Sequence, residues 1–287
     1  MKSHDNRIGV IAGATGFLGS LLAKHYANLG TDLILIGKDE IKLKNLKSEA
    51  EMNTKSKVTI VSLDFESNYI SELSAKIERF AEHIDFFVST IGTQHPISSV
   101  LQSEESDWSG SIRTNLIMPV NLAKFFTDIF LKNGHGSVIL TSGGGATNAR
   151  TNFSAYASAK AGLVRFVETF AAEIPEYNVR INAIAPGIIP SKMMEEIVEN
   201  FALVAGKDEV AKAIGALENK LWDPAQILSL CDFLVSEKSK GITGKLISAE
   251  WDNWSDWPQH VDELRASDLY TLRRITGRDR GLTWGDI

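Results

Sequence analysis

Tyr156 and Lys160 stand four residues apart in the stretch Phe153-Ser-Ala-Tyr-Ala-Ser-Ala-Lys-Ala-Gly-Leu. Ala155 to Ala172 is rich in helix formers and has apolar residues at helical spacing, which predicts a helix. On a helix, positions i and i+4 share a face one turn apart, so the phenol and the ammonium point the same way. A phenol ordinarily titrates near pKa ~10 and is a poor acid or base at neutral pH. A nearby ammonium favours the phenolate and lowers that pKa, so the pair can pass a proton to or from an alcohol oxygen. The same two residues also occur at this spacing on ordinary exposed helix faces. Their meaning therefore depends on the elements that hold them.

The chain has 287 residues, 44% apolar and 23% charged, and reads as an ordinary globular protein of one large domain or two small ones. No apolar stretch reaches the ~18 residues of a membrane helix. The polar start from Met1 to Arg7 lacks the apolar core of a signal peptide. Cys231 is the sole cysteine, which excludes an intrachain disulfide framework and points to a reducing cytoplasm. In that compartment the sequons at Asn152 and Asn253 carry no meaning. A net charge of −6 with interspersed lysines and acids argues against sequence-independent nucleic-acid binding.

Arg7 to Ala12 reads as a buried strand that enters Gly13-Ala-Thr-Gly16-Phe-Leu-Gly19, followed by an amphipathic helix to about Leu29. A glycine-rich turn between strand and helix suits phosphate, because the backbone approaches closely and the helix-start N–H groups face the anion. Gly13 would make the tight turn, Gly16 would admit the pyrophosphate and Gly19 would let the helix pack on the strand. The same turn can also serve packing alone. A second strand, Asp32 to Gly37, ends in Gly37-Lys38 without an acid. An acid there would bind the ribose 2′-hydroxyl of NAD and repel a 2′-phosphate, so Lys38 points to NADP(H) over NAD(H) unless it is a solvated loop lysine. Lys42, Lys44 and Lys47 read as solvated.

A third strand, Lys57 to Leu63, reaches Asp64-Phe65, where Asp64 either accepts from an adenine amino group or caps the helix near Asn68. Ile84 to Ser89 is a strand that empties into the turn at Ile91 and Gly92. A long helical region from about Ser103 to Leu131 is interrupted by Asn115 and Pro119. Asn115 is either functional or an exposed residue at a kink. A fifth strand, Gly136 to Thr141, ends at Ser142 before Gly143, Gly144 and Gly145, and Asn178 to Ile184 leads to Pro186-Gly187 and Ser191. Met193 to Lys220 looks helical with one apolar side and is a candidate lid. Pro224 to Val235 is another helix, and Lys245 to Glu250 holds the last strand. Alternating strands and helices predict an α/β doubly wound parallel sheet, a Rossmann fold of about seven strands with helices on both faces.

From Arg7 to about Ala249 the chain resembles the short-chain dehydrogenase/reductase family, and the motifs above fall in that family's order at near-family spacing. They include Asn182-Ala-Ile-Ala-Pro186-Gly187 and Gly241-Ile-Thr-Gly244. The resemblance implies an enzyme interconverting a carbonyl and a secondary alcohol by hydride transfer. Tyr156 would be the general acid or base, and Lys160 would lower its pKa and hold the nicotinamide ribose. Ser142 would bond the substrate oxygen, with Thr141 as the fallback hydroxyl, and Asn115 would position a water behind Lys160. Cofactor contacts are implied at Gly13, Thr15, Gly16, Phe17, Leu18 and Gly19, then at Lys38, Asp64, Phe65, Ile91 and Gly92. Tyr156, Lys160, Pro186, Gly187 and Ser191 complete the implied set, with no metal. A homodimer or homotetramer, built by packing the Asn115 and Tyr156 helices on a partner, is also implied.

Several residues depart from the family pattern. Phe17 replaces a glycine, giving a spacing more like sugar-nucleotide epimerases and dehydratases, which retain their nicotinamide. Ala12 replaces a usual threonine. Ser89-Thr90-Ile91-Gly92 replaces Asn-Asn-Ala-Gly and removes polar ties of the central strand, and the interval from Ser142 to Tyr156 is one residue longer than usual. Residues 1–249 are expected to form the catalytic domain and 250–287 a Trp/Arg-rich extension. The extension holds Trp251, Trp254, Trp257 and Trp284 with Arg265, Arg273, Arg274, Arg278 and Arg280. The simplest expectation is that the tryptophans staple this tail to its own domain. A crossing to a neighbouring subunit, or a pocket for a phosphorylated or sugar ligand, is the alternative. The tail loosely resembles those of family members among bacterial surface-polysaccharide enzymes, which points to a sugar or nucleotide-sugar substrate. A non-catalytic cofactor-binding scaffold is the reading from another class.

Overall fold

The computed structural model describes residues 7–65, 68–174, 178–218 and 223–284. Seven strands, β1 (Ile8–Ala12), β2 (Asp32–Gly37), β3 (Val58–Ser62), β4 (Ile84–Ser89), β5 (Gly136–Thr141), β6 (Val179–Ala185) and β7 (Leu246–Ser248), form one parallel sheet in the order β3-β2-β1-β4-β5-β6-β7. The early helices are α1 (Phe17–Asn28), α2 (Glu40–Glu51), α3 (Tyr69–Ile77), α4 (Glu105–Ile112), α5 (Met118–Asn133) and α6 (Ser154–Glu173). The later ones are α7 (Lys192–Asn200), α8 (Ala202–Ala205), α9 (Lys207–Glu218), α10 (Ala225–Val235) and α11 (Val261–Ala266). This is the expected doubly wound architecture.

Side chains alternate across each strand, and the two apolar layers follow from that alternation. Val10 and Ala12 face one way and pack with α3, α5 and α6 through residues such as Leu73, Phe126 and Leu163. Ile11 faces the other way and packs with α1, α2 and α10 through Leu22, Leu43 and Leu230. The chain runs outward from β1 through β2 to β3, then crosses back to place β4 on the other side of β1. The adjacent strands β1 and β4 therefore send their following loops apart, and this opens a crevice at their carboxyl ends.

One departure from the family pattern, and the interrupted helix, find a structural answer. The Thr90 hydroxyl donates to the carbonyls of Ala12 and Gly13, both at 3.1 Å, and its N–H donates to Ala12 O at 2.9 Å. The turn after β4 is thus tied to β1 without the usual asparagines. The interrupted helix is not one helix: α4 passes into a π-helical turn, Arg113–Ile117, before α5. A π turn shifts the side-chain register by one residue, and such turns collect at functional sites.

The tail divides its tryptophans. Trp257 is buried with Leu264 in the α1–α2–α10 layer and lies 4.2 Å from Tyr270 between ring centres, and Trp254 packs on Phe233. The tail backbone then covers the β7 edge, where Leu246 N–H donates to Tyr270 O at 2.9 Å, and reaches α6 through Leu272 N–H to Glu168 at 2.5 Å. Trp251 and Trp284 stay exposed, at 81% and 71%. The stapling expectation holds for Trp254 and Trp257. Arg273 pairs with Asp268 and Asp279 within the tail itself. Among the described residues no helix is long and apolar enough to cross a membrane.

The packing makes unequal demands on two tryptophans of similar sequence context. Trp257→Ala is expected to lower stability by about 3 kcal/mol through the cavity it leaves. Trp251→Ala should stay within about 0.5 kcal/mol, as exposed substitutions do. Urea denaturation of both variants checks the contrast.

Candidate active site

The crevice is a cavity of about 1980 Å3, well beyond the ~300–1,000 Å3 of a site for one drug-sized ligand. Its volume leaves room for more than one such ligand. One end is the glycine turn, where Gly13, Thr15, Gly16, Phe17 and Leu18 line it. Gly13 has φ +75°, and a Cβ there would meet Ile91 N at 2.9 Å. A Cβ on Gly19 would lie 2.4 Å from Gly13 O, so this glycine lets α1 pack against the turn and does not itself reach the cavity. Gly13 thus makes the tight turn, and Gly19 allows the helix packing, expected of them.

Lys38 lines the same end and is exposed. The acid next to it, Asp39, is engaged elsewhere, because its carboxylate caps α2 by accepting from Lys42 N–H at 3.0 Å. That bond and the Lys42 charge hold its carboxyl below the usual carboxylate range. Asp64 and Phe65 also line the cavity. The N-cap position of α3 is Asn68 and not Asp64. Phe65 is fixed by its carbonyl, which accepts from Arg113 at 2.6 Å.

The opposite wall carries the residues expected to act as acid and base. Ser142, Tyr156 and Lys160 all line it, with Ile91, Gly92, Pro186, Gly187 and Ser191 around them. Ser142 follows β5, and its N–H donates to Ile184 O at 2.7 Å. Its Oγ, like the hydroxyl of Thr141, is buried with no hydrogen-bond partner. Buried hydroxyls are ordinarily paired, so these two suit a polar ligand atom. The longer interval to Tyr156 does not remove Ser142 from the wall. Tyr156 leans over Gly143, where a Cβ would lie 2.2 Å from the phenol oxygen. Lys160 donates to Thr141 O at 2.8 Å, and its Nζ lies 5.8 Å from the Tyr156 ring centre.

Asn115 does not reach the cavity, and it is not the exposed kink residue that the sequence also allowed. It is fully buried in the π turn, with its Oδ1 accepting from Thr93 N–H at 3.0 Å and its Nδ2 donating to Thr93 O and Ser111 O at 2.9 and 3.0 Å. A Cβ on Gly92 would sit 3.2 Å from Asn115 Oδ1 and 3.5 Å from Lys160 Nζ, so this glycine separates the two side chains.

The electrostatics differ from the expectation drawn for the pair. Burial raises the Tyr156 phenol above its ordinary value, Arg150 pulls it down and Glu209 pushes it up. Burial also lowers the Lys160 ammonium to about 8. Lys160 therefore does not supply the expected lowering of the phenol pKa; Arg150 is the cation that opposes burial. Three residues at this wall escape a reading of the sequence: Arg150, Glu209 and Gln94, all lining the cavity. Only the glycine run at 143–145 gives a local sign that the phenol needs room.

The expected lid is helical, comprising α7, α8 and α9, with Met193, Met194, Glu209, Lys212, Gly215 and Ala216 on the cavity. Its last two residues, 219–220, lie outside the described residues. The tail supplies Glu250, Trp251, Asp252 and Tyr270 to the cavity of its own chain.

Residues 7–202 match the family model for short chain dehydrogenases. The chain belongs to the short-chain dehydrogenase family. It is 27% identical over 248 residues to 3-oxoacyl-(acyl-carrier-protein) reductase of Chlamydia muridarum, covering 85% of this chain and 96% of the relative. It is 26% identical over 250 residues to 2,3-dihydro-2,3-dihydroxybenzoate dehydrogenase of Bacillus subtilis, covering 84% and 94%. In fold it is similar to the Shigella flexneri protein solved with NADP and assigned as a short chain dehydrogenase, with TM-score 0.74 and 24% identity over 87% of this chain and all of that one. Gly13, Tyr156 and Lys160 thus sit in a family member with the family's fold.

The buried Lys160 sets a pH dependence. Its folded pKa lies below that of free lysine, so its charge destabilises the fold fully below about pH 8, and stability recovers as pH rises from there toward ~10.4. Lys160→Met is expected to be the more stable protein at pH 6.5, by up to ~3 kcal/mol, with the difference shrinking by pH 9.5. Urea denaturation at the two pH values measures it.

Proposed function

We propose that the protein is an NADP-dependent oxidoreductase that interconverts a carbonyl and a secondary alcohol. The observation that carries this reading is the meeting of the Tyr156, Ser142 and Lys160 side chains on one wall of a cavity whose other end is the Gly13–Gly19 turn. Nicotinamide, when bound, would supply or accept the hydride. Gly13, Thr15 and Gly16 would hold the pyrophosphate, Asp64 and Phe65 the adenine end, and Lys38 the 2′-phosphate. The occupation of Asp39 by its helix supports Lys38 as the charge left facing that position. Ile91, Gly92, Pro186, Gly187 and Ser191 would hold the nicotinamide end.

At the reacting wall, Ser142 Oγ would donate to the carbonyl oxygen as negative charge grows on it. Tyr156 Oη would then give its proton to that oxygen, and in reverse would take it back. A phenol kept protonated by burial is in the state needed for reduction at neutral pH. Lys160 would hold the ribose and return the proton to Tyr156, with a water beside Asn115 behind it.

The substrate end carries Arg150, Glu209, Lys212 and Gln94, a polar lining that favours a hydroxylated or charged substrate such as a sugar or nucleotide-sugar derivative. The relatives' names support a second substrate class, a 3-oxoacyl thioester. A homo-oligomer and a cytoplasmic location belong to the same reading. A shallow groove on the α4–π face, lined by Trp108, Ile112 and Ile117, supports the former, and the single buried Cys231 the latter.

Fluorescence titration tests the cofactor: NADPH is expected to bind at least ~10-fold tighter than NADH, or ~1.4 kcal/mol, and Lys38→Ala to erase the difference. Tyr156→Phe is expected to bind NADPH as before and to oxidise it with a carbonyl substrate ~100-fold or more slowly. Substrate turnover without net NADPH consumption would favour an epimerase or dehydratase, in line with the glycine spacing. Binding of neither cofactor would favour a scaffold.

A further inference from the structure

Beside Tyr156 the polar lining of the cavity is itself a connected cluster of charged side chains. Arg150, in the stretch between β5 and α6, reaches Glu209 of α9 through Nε at 2.9 Å and Nη2 at 2.7 Å. The same Nη2 donates to Gln94 Oε1 at 2.8 Å. The guanidinium carbon lies 3.7 Å from the ring centre of Phe153 and 5.5 Å from that of Tyr156. One side chain thus spans the loop after β4, the start of α6 and the α7–α9 segment. The pair is no solvated surface contact, since the Arg150 and Glu209 side chains are only 15% and 17% exposed.

The α7–α9 segment has few other attachments. It shares a small apolar cluster with Ile97, Phe153 and Tyr156, separate from the two layers that cover the sheet. Among the described residues its further polar ties to the wall are His95 to Glu196 at 3.2 Å and Asn152 to the Val204 carbonyl at 2.5 Å. Segments with little buried apolar area open most readily.

We infer that Arg150 is a positioning residue which latches the α7–α9 segment, through Glu209, to the wall that carries Tyr156, and holds the Tyr156 ring in place. This rests on Tyr156 as the proton-transferring group. Tyr156 faces Arg150 and Lys160, with Glu209 on the far side of Arg150 and Lys212 paired to Glu209 at 3.0 Å. Arg150 favours the phenolate and Glu209 opposes it, so in the latched state the two work against each other. Swinging α9 outward removes Glu209 and leaves Arg150 acting alone on the phenol. Segment position and proton transfer are coupled through this one pair.

Tyr156 ionisation is read from the phenolate absorbance on alkaline titration, as the difference between each variant and the same variant carrying Tyr156→Phe. This needs neither cofactor nor substrate, so its outcome is separable from the proposed oxidoreductase activity. Arg150→Met, which keeps an apolar stem against Phe153, is expected to raise the midpoint. Glu209→Gln, which keeps an acceptor for Arg150, is expected to lower it. Chymotryptic cleavage within 192–218 should be several-fold faster in Arg150→Met. Arg150→Lys should restore the midpoint without full protection, because an ammonium lacks the guanidinium fork. A merely structural role would expose Tyr156 and move both midpoints down toward the free phenol. That result, or unmoved midpoints with parental cleavage, would overturn the proposal, and Glu209→Gln keeps it testable should Arg150→Met fail to fold.

Discussion

Lys160 carries its ammonium to the floor of the cavity, where water is largely excluded and the Thr141 carbonyl accepts a hydrogen bond from it. A buried charge with so little support is unfavourable, and the lowering of its pKa to about 8 expresses that. Much of the surrounding structure serves to hold the group there. β5 ends at the residue that provides the acceptor. α6 presents Lys160 one turn from Tyr156. The Asn115 amide, fixed by hydrogen bonds to the Thr93 backbone and to Ser111, braces the loop in which Gly92 lies between Asn115 and Lys160. Stability given up at one position in this way is typical of a site built to act on a ligand.

The sheet topology brings the two ends of the cavity together. β1 and β4 are neighbours in the sheet although β2 and β3 separate them in sequence, so the glycine turn and the Ile91-Gly92 turn meet across the switch point. Thr90 locks the two turns to each other. Tyr156 and Lys160 then approach from α6, which follows β5 on the far side of β4. The glycine turn and the wall that carries Tyr156 are thus made by segments about 140 residues apart in sequence, Gly13 against Tyr156.

Most of this frame is legible in the sequence because its signals are local. The strands show as apolar runs, the turn as Gly13, Gly16 and Gly19, and the Tyr156–Lys160 pair as one helical turn. What stays hidden depends on contacts between distant residues. Arg150 and Glu209 are 59 positions apart, and neither stands out from its neighbours. The π turn can be sensed only as a disturbance at Asn115 and Pro119. Trp251 and Trp257 look alike in sequence, yet one is exposed on the cavity and the other lies in the core. The raised phenol pKa runs against the sequence expectation because helical spacing gives the distance to Lys160 but not the burial of both groups. The engagement of Asp39 is equally hidden, since its capping bond is visible only once α2 has a defined start.

Proton delivery by Tyr156 alongside hydride transfer is tested most directly with NADPH deuterated at the transferable C4 position. The protein is incubated with it and, in parallel, a keto-sugar and a 3-oxoacyl thioester, and the alcohol formed is read by mass spectrometry. The expected result is one deuterium on the carbinol carbon with the parent protein and at least ~100-fold less product with Tyr156→Phe at equal cofactor occupancy. Transfer by Tyr156→Phe at the parental rate would contradict the assignment of Tyr156 as the acid.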